Sequence, residues 1–166
     1  MIQPSEIHVH CSPTEIRHAA YLFRDYQFKR YGPVLSIACI INLAAFLFAL
    51  QAGDVDATLL TIAGVIAITG PVWLVYKYFL YPHLMVASLK SVFDSEVLVS
   101  LEADAFSFSR DGRESTIRWS DVKSILETDL IFMFVLSPVL FTFLPKSALS
   151  HELSSFLREK LQAAKN

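Results

Sequence analysis

The residues that could bind a metal ion lie together near the N-terminus of the chain. His8 and His10 are two positions apart, and Cys11 follows directly. Alternate side chains of a strand share one face, so the two imidazoles can point the same way. A zinc site takes four ligands at characteristic Cys and His spacings, and no further ligands follow at such a spacing. We therefore interpret these three residues as solvent-facing strand positions and expect no metal and no other cofactor.

A second group of residues could be assigned acid–base chemistry. Asp121, Glu127 and Asp129 lie close together in the sequence, and Arg118 precedes them. Catalysis also needs a nucleophile or base that is held in a pocket, and the sequence offers no such pair. We interpret Asp121 as the cap of a turn, and Glu127 and Asp129 as an exposed charged edge. We expect no catalytic residue and no enzyme activity.

The composition indicates that part of the chain contacts lipid. Hydrophobic residues make up 54% of the 166 residues and charged residues only 18%. A soluble domain of this length cannot bury that much apolar surface. The net charge of -2 gives no basic field that would attract nucleic acid, so this class of partner is excluded.

Two uncharged stretches, at positions 31–53 and 57–76, are long enough to cross a bilayer as helices. The segment between them, 51–56, predicts a tight turn, so the two helices form a hairpin. Small residues that suit close helix contact recur in both helices: Ala38, Ala45, Gly64 and Gly70. The alternative is a pair of buried core helices in a soluble bundle.

The positive charges predict the orientation of this hairpin. Lys and Arg residues flank both outer ends of the stretches (Arg17, Arg24, Lys29, Arg30, Lys77 and Lys90), whereas the turn carries Asp54 and Asp56. Because Lys and Arg are retained on the cytoplasmic side, both termini are expected to be cytoplasmic. No cleavable signal peptide is expected at the N-terminus.

The N-terminal segment predicts a strand followed by an amphipathic helix. Ile7 is the centre of an alternating pattern, and Ser12 with Glu15 forms a capping-box pattern that starts a helix. We expect this helix to end near Arg30, because Gly32-Pro33 should break it before the first span.

After a short connecting helix, the pattern changes to the two-residue period of strands. The Asp111-Gly112 dipeptide predicts a hairpin that pairs Arg110 with Arg113, Phe108 with Ser115 and Phe106 with Ile117. Apolar runs at 130–136 and 139–144, separated by Ser-Pro, predict a second hairpin that is apolar on both faces. The alternative for this region is a third membrane span. An amphipathic helix closes the chain.

Three blocks of residues in a fixed order carry a resemblance to a known family. These are Trp119-Ser120-Asp121, Glu127-Thr128-Asp129 and Pro145-Lys146-Ser147-Ala148. In this order they resemble the C-terminal domain of YcxB-like bacterial membrane proteins. The resemblance implies a pleckstrin-homology-like fold on the cytoplasmic face of the bacterial inner (plasma) membrane, in a family without an assigned activity. Because the C-terminal part is small for that fold, we expect the strand near Ile7 to return and complete the sheet.

The expected fold class is an α+β membrane protein. It combines a two-helix transmembrane hairpin with a small antiparallel sheet closed by a C-terminal amphipathic helix. We expect an N-terminal strand and amphipathic helix at 1–32, the transmembrane hairpin at 33–81, a connecting helix at 82–95 and the YcxB-like sheet domain at 96–166.

These expectations favour a membrane-anchored interaction or scaffold module as the function. The partners would be the bilayer and another copy of the chain or an unidentified membrane protein. The alternative is the binding of anionic lipid headgroups. Arg110, Arg113 and Phe141 are the candidate contact residues, and Trp119, Asp121 and Pro145 are assigned structural roles.

Overall fold

The computed structural model describes residues 5–52, 56–93, 96–110 and 112–163. It divides into two units, the first formed by Met1–Ala20 with Val86–Asn166 and the second by Tyr21–Met85. The first unit is therefore discontinuous in sequence, and the second is an insertion within it.

One sheet of the first unit joins the N-terminal strand to strands that follow the insertion. It contains β1 (Ser5–Val9), β2 (Val97–Leu101), β3 (Ala105–Arg110) and β4 (Arg113–Arg118), in that order. β1 pairs antiparallel with β2, so that Ile7 lies opposite Val99 and Val9 opposite Val97. This pairing confirms that the N-terminal strand completes the sheet.

The β3–β4 hairpin has the register that its turn dipeptide predicts. Arg110 pairs with Arg113, and the predicted pairs further along the strands are also formed. Gly112 has a φ of 74°, the left-handed conformation that a tight hairpin turn requires of glycine. Asp111 lies outside the described residues.

The predicted second hairpin forms a separate sheet, so there are two small antiparallel sheets where the sequence predicted one. This sheet contains β5 (Ser124–Glu127), β6 (Ile131–Val135) and β7 (Phe141–Pro145), in the order β5-β6-β7. Every residue of β6 is buried. The alternative of a third membrane span here is wrong, because the backbone polar groups of β6 are satisfied by strand pairing with its two neighbours.

A C-terminal helix, α4 (His151–Ala163), completes the first unit. Its buried face carries Leu153, Phe156 and Leu157. These positions recur at helical spacing, which confirms the predicted apolar stripe over the described residues.

The first helix runs without interruption from one unit into the other. α1 spans Pro13–Ala52, with Pro33 inside it, so the predicted break at Gly32-Pro33 is wrong. A proline costs an interior helix one hydrogen bond, which long apolar helices tolerate. Gly32 instead makes room for a neighbouring side chain: a Cβ at this position would lie 3.1 Å from the Phe28 ring.

The second unit continues with a helical segment that changes pitch once. α2 (Ala57–Val75) is followed by a π-turn (Tyr76–Leu80) and by α3 (Tyr81–Phe93). The predicted connecting helix is thus continuous with the second apolar stretch. α1 extends to Ala52, so Gln51 and Ala52, which were predicted to lie in the turn, are helical. Asp54 lies outside the described residues.

Two helices are long and apolar enough to cross a membrane, namely Pro13–Gln51 and Ala57–Lys90. In the most apolar stretch of the first helix no residue is buried, and in that of the second 6% of the residues are buried. The core helices of a soluble bundle would be mostly buried. The two helices approach closely at glycines. A Cβ at Gly70 would lie 2.9 Å from the Cys39 Sγ, and one at Gly64 would lie 3.1 Å from the Phe46 ring.

Candidate functional site

Glu127 of the Glu-Thr-Asp block pairs with Lys146 of the Pro-Lys-Ser-Ala block. Glu127 Oε1 accepts hydrogen bonds from Lys146 Nζ at 2.7 Å and from Arg158 Nε at 3.0 Å. These two cations, Lys146 first, lower the pKa of the Glu127 carboxyl below its ordinary value. A carboxylate held in this way is a structural anion and a poor general base.

A second carboxylate, Glu15, attaches the start of α1 to the same region. Its Oε2 accepts hydrogen bonds from the Ser12 amide at 2.7 Å and the Ser12 hydroxyl at 2.8 Å, which confirms the predicted capping box. Its Oε1 accepts one from the Ser147 hydroxyl at 2.8 Å. Burial opposes the charge, but these hydrogen bonds outweigh it and lower the pKa of Glu15.

Thr128 adds a further link between the N-terminal segment and the second sheet. Its Oγ1 accepts from the Ile131 amide at 3.2 Å and lies 3.2 Å from His18 Nε2 on α1. The Glu-Thr-Asp and Pro-Lys-Ser-Ala blocks therefore hold the start of α1 in place through Thr128 and Ser147.

Trp119 lies at the edge of the core and is only half-buried. Its ring packs against three phenylalanines, with centroid distances of 4.6 Å to Phe106, 5.8 Å to Phe134 and 6.0 Å to Phe156. Its Nε1 donates to the Glu102 carbonyl at 3.0 Å. The side chain thus connects β3, β6 and α4.

The other two residues with predicted structural roles lie at the ends of elements. Asp121 is exposed at the end of a short 3-10 turn, which is closed by the Val122 amide donating to the Trp119 carbonyl at 3.2 Å. Pro145 is buried and is the last residue of β7, where it pairs with Ile131.

The three candidate contact residues are divided between the two sheets. Arg110 and Arg113 flank the β3–β4 turn, whereas Phe141 lies on β7 opposite Val135 and is half-buried. The sequence predicted apolar side chains on both faces of this second hairpin, and the chain itself buries every residue of β6. The role of Phe141 as a contact residue stays a prediction.

The metal-like group at the N-terminus is dispersed by the fold. His8 is exposed and its Nδ1 lies 3.0 Å from Glu96 Oε1. Cys11 is buried, contrary to the solvent-facing position that we expected. Burial, with a contribution from the Glu15 charge, raises the pKa of the thiol to about 12. Among the described residues, no three potential metal ligands come together.

An exposed apolar tip joins β6 to β7, and sequence reasoning missed it. Val139 is 71% exposed and Leu140 is 56% exposed, and both precede β7, although the apolar run at 139–144 predicted them to lie within the strand. The turn is closed by the Leu136 amide donating to the Leu140 carbonyl at 3.0 Å. The Ser137-Pro138 dipeptide was the available signal, because a turn that begins there displaces the next two residues from the strand.

The domain consists of two antiparallel sheets with a closing helix, and two of the three ordered blocks hold the start of α1 through Thr128 and Ser147. Residues 101–161 match the family model described as YcxB-like protein. This match confirms the resemblance over the segment that carries the three blocks. No curated protein and no solved structure matches the chain.

Proposed function

We propose that this protein is a membrane-anchored interaction module of the bacterial inner membrane. α1 and α2 would span the bilayer, with both termini in the cytoplasm, and the first unit would be a pleckstrin-homology-like domain that docks another protein. The succession of four strands, three strands and a closing helix supports this domain type.

One observation carries the proposal: the exposed apolar helices are inserted between two strands that pair with each other. β1 precedes the helices and β2 follows them, so the sheet domain is tied to the hairpin by both of its chain connections. Such a domain is held close to its membrane. The Val139–Leu140 tip gives it an exposed apolar surface to present to a partner.

A cysteine-labelling experiment tests the membrane arrangement. In a Cys39→Ala background, Asp56→Cys should react with an impermeant thiol reagent in intact cells, because Asp56 lies in the turn that carries no Lys or Arg. Gln162→Cys on α4 should react only after permeabilisation. Labelling of Gln162→Cys in intact cells would disprove the cytoplasmic location of the sheet domain.

Photo-crosslinking tests the docking role separately. A photoreactive amino acid at Val139 should give a discrete protein adduct, at twice the chain mass if the partner is a second copy. The matched control is the same amino acid at Glu152, an exposed position of α4, which should give none. Absence of any protein adduct at Val139 would contradict the interaction role.

Binding of anionic lipid headgroups is the second candidate, and the register of the first sheet favours it. Val9 pairs with Val97, and the β3–β4 turn lies at this same edge because Leu98 pairs with Ser109. Arg110 and Arg113 therefore lie at the edge where the chain leaves the sheet for α1 and returns from α3. Arginines in such a hairpin can hold phosphate groups.

Limited proteolysis of the full chain in nanodiscs tests this candidate. Anionic lipid should slow trypsin cleavage after Arg113 at low salt, and high salt should restore it. Cleavage after Lys123, which is exposed beyond the hairpin, serves as the internal control. Equal cleavage in neutral and anionic nanodiscs would rule out headgroup binding at this turn.

A further inference from the structure

A groove of about 600 Å³ runs along the second unit between α1 and the segment that contains the π-turn. Its walls are mostly apolar, and charged groups occur only on the α1 side. The residues that line the groove include Asp25, Phe28 and Lys29 of α1, Val75 of α2, and Tyr78 and Phe79 of the π-turn.

The π-turn shapes one wall of this groove. A π-turn inserts one extra residue into a helix, and such insertions are frequent at functional sites. Tyr78 is held against α1, because its ring lies 5.2 Å from that of Phe28 and the Arg24 guanidinium lies 4.4 Å above it. The next residue, Phe79, remains 61% exposed. The turn therefore fixes one aromatic ring as a wall and leaves the other available to an apolar ligand.

Two charged residues line the groove, and of the two only Asp25 forms an ion pair among the described residues. Asp25 Oδ1 is engaged by Arg24, with 2.6 Å to Nη2 and 2.8 Å to Nε. Lys29 is exposed, and in the described part of the chain no carboxylate forms an ion pair with it. The rim of the groove thus offers an ammonium group beside an apolar floor.

We propose that this groove binds one phospholipid molecule, with its phosphate on Lys29 and an acyl chain on Val75 and Phe79. Lys29 lies two residues before the first uncharged stretch, and Val75 is the last residue but one of the second. In a hairpin that spans the bilayer, the groove lies where headgroup and acyl chain meet, so this inference rests on the membrane arrangement proposed above.

A phospholipid suits this groove better than a helix of another protein. One molecule supplies both the anion for Lys29 and the chain for the apolar floor, whereas a helix would need a carboxylate at one matching position. Lys77 also favours an anionic ligand, because it precedes the groove residue Tyr78 and adds positive charge there. Its Nζ lies 3.8 Å from the Tyr81 ring centroid.

Native mass spectrometry of the full-length protein in detergent micelles, titrated with phosphatidylglycerol, tests the proposal. We expect one lipid per chain to remain bound when the detergent is removed. Lys29→Gln should weaken this binding about five-fold, as expected for one basic side chain at an anionic headgroup. Val75→Trp should abolish it by filling the apolar floor. The matched control, Lys90→Gln on α3, removes the same charge outside the groove and should change nothing.

The outcomes separate this site from general lipid association and from the proposed function. No retained lipid, or equal weakening by Lys29→Gln and Lys90→Gln, would overturn the groove. A retained protein chain that Val75→Trp displaces would identify a helix as the occupant and would also overturn it. None of these results changes the labelling of Asp56→Cys, and a protein that stays soluble without detergent would refute the membrane arrangement itself.

Discussion

The close approach of α1 and α2 at Gly70 predicts a specific clash and a specific rescue. A Cβ at this position would lie 2.9 Å from the Cys39 Sγ. That is about 0.6 Å short of the lower end of favourable contact distances. Gly70→Ala must therefore displace the thiol or separate the helices, at a cost of about 1–3 kcal/mol, the usual range for overpacking.

Removal of the sulfur should remove the clash. Cys39→Ala keeps the Cβ of residue 39 and deletes the atom that Gly70→Ala meets, so the double variant should recover most of the lost stability. A double-mutant cycle isolates this coupling, which should reach about 1 kcal/mol or more. Unfolding of the detergent-solubilised protein, followed by tryptophan fluorescence in a Trp119→Phe background so that Trp73 alone reports, measures the stability of each of the four proteins in the cycle.

Two results would refute this reasoning. An equal cost of Gly70→Ala with and without the Cys39 sulfur would place the strain elsewhere. A larger cost for Gly64→Ala than for Gly70→Ala would contradict the distances, because a Cβ at Gly64 would lie 3.1 Å from the Phe46 ring and has more room.

Two further predictions concern the first unit. The lowered pKa of Glu15 means that its ionised form stabilises the fold, so this contribution is present above its ordinary pKa of 4.5 and is lost as the pH falls through its folded pKa. Glu15→Gln should reduce the drop in the unfolding midpoint that occurs as the pH is lowered. Part of the drop should remain, because the pKa of Glu127 is also lowered. An unchanged drop in the Glu15→Gln variant would contradict this. Trp119→Ala should lower the free energy of unfolding by about 3 kcal/mol, the low end for large aromatic side chains, because the ring is half-buried. Trp119→Phe should lower it by about 1 kcal/mol through loss of the hydrogen bond to the Glu102 carbonyl. An unaltered midpoint in Trp119→Ala would show that the aromatic contacts do not support the core.

Local signals allowed much of the fold to be predicted. The capping box at Ser12 and Glu15 is a short-range motif whose hydrogen bonds are set by helix geometry, and the structure forms them. The register around Gly112 follows from the one turn type that the dipeptide favours. Both predictions are correct because few long-range contacts compete with them.

The errors arose where local preference did not decide the structure. Gly32-Pro33 is a helix-breaking pair in isolation, yet α1 continues through it over Pro13–Ala52. The division into two sheets depends on which strands pair across the chain, and an alternating pattern does not contain that information.

The candidate site was less predictable than the fold. The sequence shows that Glu127 and Lys146 occur in ordered blocks, but only the fold brings them into contact at 2.7 Å. Likewise, the groove beside Lys29 depends on the π-turn, and nothing in the period of the surrounding apolar residues marks that turn.

The pairing of β1 with β2 imposes an order on biosynthesis. β1 is synthesised before both apolar helices and β2 after them, so β1 stays without this partner until the helices have been made. Its closure is a long-range contact, and a well-placed hairpin shortens the search by bringing the ends of the inserted segment together. A chain whose helices fail to insert would leave β2 with an open edge, which is the kind of surface that aggregates or is degraded. In the membrane arrangement proposed above, completion of the sheet would depend on insertion of the helices.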